Sequence, residues 1–121
     1  MNDGRRYTVF LRDGREIEYA DQYSYMDGGV SFLEADGSLR TYSSGALLYV
    51  RTVCDSDPNI QQEYYDTNFD LINGTKVILM SASKASYSHG YWWVMSYVEG
   101  VEFMIPCSAL VQITEKEKEI A

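Results

Sequence analysis

The chain has 121 residues, 45% of them hydrophobic and 23% charged, which suits an ordinary globular protein and is too apolar for intrinsic disorder. Its formal net charge is -8, with 6 basic against 11 acidic residues through Tyr65 and 4 against 7 beyond it. Neither half therefore offers the Lys/Arg surface that displaces counterions from phosphates, and direct DNA or RNA binding is not expected.

The aromatic share is 14%, led by 11 tyrosines, and such residues fit pleated, half-buried strands better than helices, so an all-β fold is predicted. Tyr7, Val9 and Leu11 alternate with Thr8, Phe10 and Arg12 up to the turn dipeptide Asp13-Gly14. Ile17 and Tyr19 mark the returning strand, and Val30 with Phe32 a third after the Asp27-Gly28-Gly29 turn. Asp36-Gly37 turns into a fourth strand over Leu39 to Tyr42, and Ala46 to Val53 reads as a fifth. The polar, Pro58-containing stretch from Cys54 breaks this rhythm and reads as a linker over 54–67. Strands resume at Asn68 to Leu71, turn at Asn73-Gly74 and continue through Thr75 to Ser81. A polar loop, Ala82 to His89, then precedes the strongest strand, Tyr91 to Val98. The charged residues 116–121 read as a tail that frays in solvent.

The two halves align with each other. At an offset of 63, Gly37 falls on Gly100, Ala46 on Ala109 and Leu47 on Leu110; at an offset of 60, Leu11 falls on Leu71, Gly14 on Gly74 and Ile17 on Val77. The expected organisation is two small five-stranded barrels in tandem, over 5–53 and 68–115. The second half resembles an SH3 domain in the order of Gly74 to Leu79, Gly90-Tyr91-Trp92-Trp93-Val94, and Ile105-Pro106 leading through a single turn to Ile113. That resemblance implies SH3-like barrels. It does not carry over the proline-peptide ligand, because the aromatic shelf would need a second ring where Ala109 stands.

No catalytic machinery is legible. His89 is the sole histidine and reads as a loop residue, Cys107 reads as a small buried hydrophobe, and Cys54 sits at the linker edge. Asp55, Asp57, Glu63, Asp66 and Asp70 match no calcium-loop spacing, and no Gly-rich phosphate loop precedes a helix, so neither metal nor cofactor is expected. Two cysteines, no apolar signal core after Met1, and no apolar run near the about 20 residues of a bilayer span point to a cytoplasmic protein without membrane attachment.

The expected activity is therefore non-enzymatic. Acidic and aromatic surface would engage a protein partner, basic or nucleic-acid-binding, through Asp13, Glu16, Glu18, Asp55, Asp57 and Asp66 with Tyr64, Tyr65, Tyr91 and Trp92. In type, such a chain looks like the anti-CRISPR inhibitors that phages and mobile elements direct at bacterial defence nucleases. Two other classes are carried beside it: a small-molecule or nucleotide-signal binder that stacks its ligand on aromatics, and an assembly component that self-associates through strand edges.

Overall fold

A computed structural model describes residues 5–20, 22–26, 28–53 and 65–117, with backbone only over 23–26. The first half supplies β1 (Arg6–Leu11), β2 (Glu16–Tyr19), β3 (Gln22–Met26), β4 (Gly29–Leu33), β5 (Leu39–Ser43) and β6 (Leu47–Val53). The second supplies β7 (Tyr65–Leu71), β8 (Lys76–Ala82), β9 (Ser86–Ser88), β10 (Tyr91–Ser96), β11 (Val101–Pro106) and β12 (Leu110–Glu117), with one 3₁₀ turn at Cys107–Ala109. Every strand pairing among the described residues is antiparallel.

The fold is organised by a six-stranded sheet of order β2-β1-β6-β11-β10-β9, which draws strands from both halves. Side chains alternate across it. On one face Val9, Leu11, Tyr19, Leu47, Val50, Met104 and Tyr91 meet Val30 and Phe32 of the three-stranded sheet β3-β4-β5. On the other, Leu48, Val94, Phe103 and Ile105 meet Phe69, Leu71, Val77 and Leu79 of the sheet β12-β7-β8. Two cores thus share one wall, and each is completed by residues of the opposite half. Tyr91, Phe32 and Phe69 are wholly buried, and burial of an apolar side chain of this size contributes about 1.5–3 kcal/mol.

The repeat seen in the sequence recurs in the hydrogen bonding. Strands pair β1–β2, β1–β6, β3–β4 and β4–β5 in the first half, and β7–β8, β7–β12, β9–β10 and β10–β11 in the second. The N–H of Gly14 donates to the Leu11 carbonyl as that of Gly74 does to Leu71, both at 3.0 Å. Asp13 Oδ1 accepts from the Arg15 N–H as Asn73 Oδ1 does from Thr75, both at 3.0 Å. Both turn glycines have positive φ, 96° and 85°, where an L side chain is strained. The N–H of Arg12 donates to Ala46 and that of Ile72 to Ala109, residues matched by the same two offsets.

Several expectations need correction. Among the described residues none of the three sheets closes, so separate five-stranded barrels are not what these strands form; six described strands fall in each half and the halves share the large sheet. β9 lies inside the stretch read as a polar loop, because short polar edge strands lack the alternation that reveals longer ones. β7 begins at Tyr65, three residues before the expected strand start at Asn68, and β12 carries the chain as strand through Glu117 into the expected tail. Cys107 is exposed, since the 3₁₀ turn buries Ala109 and turns its own first residue outward. Cys54 and the rest of 54–64 lie outside the described residues.

Candidate functional site

The antiparallel register puts Glu16, Phe10 and Tyr49 in one row across β2, β1 and β6, and Glu18, Thr8, Arg51 and Phe103 in the next. Phe10 alternates out of phase with Val9 and Leu11, so it cannot enter the first core and stands half-buried on the opposite face. Its ring stacks on Tyr49 at 4.3 Å, and the Arg51 guanidinium lies over it, 5.3 Å from the centroid. Tyr49 also meets Phe103 at 5.7 Å, which anchors the patch to the second core. Burial raises the Tyr49 phenol, Arg51 opposes that shift, and Glu16 adds to it. The phenol is therefore a neutral donor at physiological pH.

A cleft of about 250 Å³ opens beside this patch, between the Asp13-Gly14 and Asn73-Gly74 turns, lined by Phe10, Tyr49, Arg12, Arg15 and Glu16 among others. Its arginines are already engaged. Arg12 donates through Nε to the Leu47 carbonyl at 2.8 Å and through Nη2 to Ser108 Oγ at 2.6 Å. Arg15 Nε lies 2.8 Å from Asp13 Oδ2.

Residues singled out from the sequence do not converge. Asp13, Glu16 and Glu18 share one exposed hairpin, but Asp13 is paired with Arg15, and hydrogen bonds led by the Arg15 backbone N–H lower its carboxyl pKa. With Arg5, Arg6, Arg12 and Arg15 among them, residues 5–20 carry four basic against three acidic side chains. The hairpin is thus no uninterrupted acidic surface. Trp92 lies on β10, four strand steps from β2 and so roughly 19 Å away at about 4.8 Å per step. It packs against the second core with Tyr87 at 5.4 Å, and Tyr87 is the more exposed of the two. Tyr91 is wholly buried in the first core and unavailable to a partner, because its strand lies in the shared wall. Asp66 and Tyr65 are partly buried on β7, Asp66 opposite Lys116 and Tyr65 with Lys84 Nζ 5.4 Å from its ring. Asp55, Asp57 and Tyr64 lie outside the described residues.

Phe10, Tyr49 and Arg51 are not among the partner-binding residues singled out from the sequence. A large aromatic on the outward phase of β1 was the available signal. His89 occupies the two-residue turn between β9 and β10 with φ 57°, followed by Gly90 at 83°, the positive pair that a type I′ hairpin requires. Its Nδ1 lies 2.7 Å from Ser88 Oγ. Among the described residues no three His, Cys, Asp or Glu side chains converge as metal ligands, and no helix is long and apolar enough to cross a membrane.

Compared with protein-family models, curated proteins and solved structures, the chain matches none of them.

Proposed function

We propose that this chain is a non-enzymatic interaction protein that docks a basic partner on the Phe10–Tyr49–Arg51 patch and its Glu16 and Glu18 border. The observation that carries the reading is the stacked, partly buried Phe10–Tyr49 pair beside two carboxylates on an edge strand. Aromatic rings and arginine dominate binding hot spots because they bury large area at low entropic cost, while carboxylates at the rim steer a positively charged surface toward them. A nucleic-acid-binding protein of the cytoplasm, such as a bacterial defence nuclease inhibited by this chain, has the required charge. The interspersed arginines favour a mixed aromatic and ionic contact over imitation of a phosphate backbone. The duplicated hydrogen-bond pattern supports two SH3-like units, fused through the β6–β11 pairing, as the scaffold.

The nucleotide-binding alternative is less well supported, since the arginines of the cleft beside the patch are committed to Leu47, Ser108 and Asp13. The test is affinity capture from bacterial lysate with the wild type and with Tyr49→Ala and Glu16→Lys/Glu18→Lys variants, at low and high salt. A nucleic-acid-binding protein recovered in a salt-sensitive manner by the wild type and lost with both variants supports the reading. Recovery that the variants leave unchanged removes this patch from consideration.

A further inference from the structure

Face alternation on β11 puts Glu102 on the same side of the large sheet as Met104, a first-core residue. Its cross-strand neighbours there are Thr52, buried, and Met95, partly buried. At the repeat offset the first half has Leu39 in its place. A carboxylate on this face breaks the apolar pattern; it is partly buried, and no hydrogen bond to it is found among the described residues. Burial accordingly pushes the Glu102 carboxyl pKa up, with the charge of Arg5 opposing the shift.

Glu102 opens into a cleft of about 430 Å³ that it lines with Trp93, Gln22, Ser86, Ser88 and Arg5. Its described lining draws Gln22 from β3, Ser86 and Ser88 from β9, Trp93 from β10 and Glu102 from β11. Its size falls within the about 300–1,000 Å³ usual for small-ligand sites. Trp93 is held in place as a wall: its Nε1–H donates to the Ser88 carbonyl at 3.2 Å, and its ring meets Tyr91 edge-on at 6.4 Å. The carboxylate, the indole π-face, two hydroxyl oxygens and an amide oxygen all accept positive charge or N–H donors. Arg5 is the only cation among the described lining residues, and it is exposed.

We infer that this cleft binds an organic cation, an alkylammonium or guanidinium group seated between the Glu102 carboxylate and the Trp93 ring with the Ser and Gln oxygens taking its remaining N–H donors. The incoming cation displaces the influence of Arg5 on Glu102, so Arg5 is a competitor. That role separates a cation from an anionic ligand, for which Arg5 would be the anchor. The inference is independent of the patch on the opposite face of the sheet, and the cation has two sources, a free small molecule or a basic side chain of another protein.

The experiment is titration calorimetry of the full chain with agmatine and with an acetylated, amidated Gly-Gly-Arg-Gly-Gly peptide, with the indole N–H resonances followed in parallel. At least one probe should bind saturably at up to millimolar concentration and shift the Trp93 indole resonance. Glu102→Gln should weaken it by about tenfold or more, and Arg5→Ala should tighten it. A stronger response to the peptide assigns the site to a protein-borne side chain, and an equal or stronger response to agmatine to a free cation. Glu102→Gln removes a half-buried charge and should melt no lower than the wild type at neutral pH, which guards against misfolding. No saturable binding of either probe, retention of affinity in Glu102→Gln, or loss of affinity in Arg5→Ala overturns the inference.

Discussion

The rings of Phe10 and Tyr49 stack 4.3 Å apart with 23° between their planes, directly across the β1–β6 ladder and beside its irregularity. The register moves from Phe10↔Tyr49 to Leu11↔Leu47, so Leu48 is the extra residue of a bulge and turns into the second core. Bulges re-aim side chains, and this one lets Leu47 and Leu48 fill different cores while Tyr49 stays over Phe10. The stack should be worth about 0.5–1.5 kcal/mol beyond area burial. A double-mutant cycle with Phe10→Leu and Tyr49→Leu, read by urea denaturation, should return a coupling of that size. Strictly additive losses would mean that the rings are merely adjacent.

Gly29 tests the closeness of β4 to β5. A Cβ there would lie 2.5 Å from the Tyr42 carbonyl oxygen, and the obstacle is backbone, which cannot swing aside. Gly29→Ala should cost about 1–3 kcal/mol by forcing the ladder apart. Gly45→Ala, whose new methyl would meet only Ser43 Oγ at 3.7 Å, is the control and should be close to neutral. Equal urea midpoints for the two variants would refute this account of the β4–β5 contact.

Asp70 joins β7 to both of its neighbours. Lys76 Nζ donates to its Oδ1 at 2.7 Å and Gln112 Nε2 to its Oδ2 at 2.8 Å. The Lys76 hydrogen bond first, then those of Gln112 and Asn68, lower its carboxyl pKa to about 2. A depressed folded-state pKa contributes stability above the unfolded value of about 3.9, and that contribution is lost as pH falls through the folded value. Asp70→Asn should therefore be less stable than the wild type at neutral pH, with the gap closing between about pH 4 and about pH 2. Urea midpoints measured across that range decide it; a gap that stays constant would show that the charge of Asp70 is not what matters.

The repeat also bears on self-association. β6 joins β11 through apolar strands, with Leu48, Val50, Phe103, Met104 and Ile105 buried. Their counterparts β12 and β5 are the outer strands of their sheets and carry Gln112, Thr114, Lys116, Arg40 and Thr41 instead. Polar edges of this kind protect against edge-to-edge pairing between chains. The wild type should elute at a mass independent of concentration, whereas Arg40→Val/Thr41→Ile, which also frees Glu34 from its 2.6 Å contact with Arg40, should associate as concentration rises. Light scattering on a dilution series measures both, and a self-associating wild type would revive the assembly reading.

Alternation and turn chemistry are local, so the sequence by itself determined the all-β class, the turns at Gly14, Gly37, Gly74 and Gly100, and the two offsets that relate the halves. Those features depend on residues a few positions apart. Which strand edge meets which is a non-local outcome: a six-stranded wall in place of two closed barrels depends on the β6–β11 pairing, between segments about fifty residues apart in the chain, with no signature in either strand. The same pairing decides exposure. It buries Tyr91, which composition alone marks as a surface aromatic, and leaves Phe10 and Tyr49 partly buried on the far side. Tertiary structure also places Glu102 and Trp93, two residues of ordinary appearance in the sequence, in one cleft whose lining comes from strands of both halves.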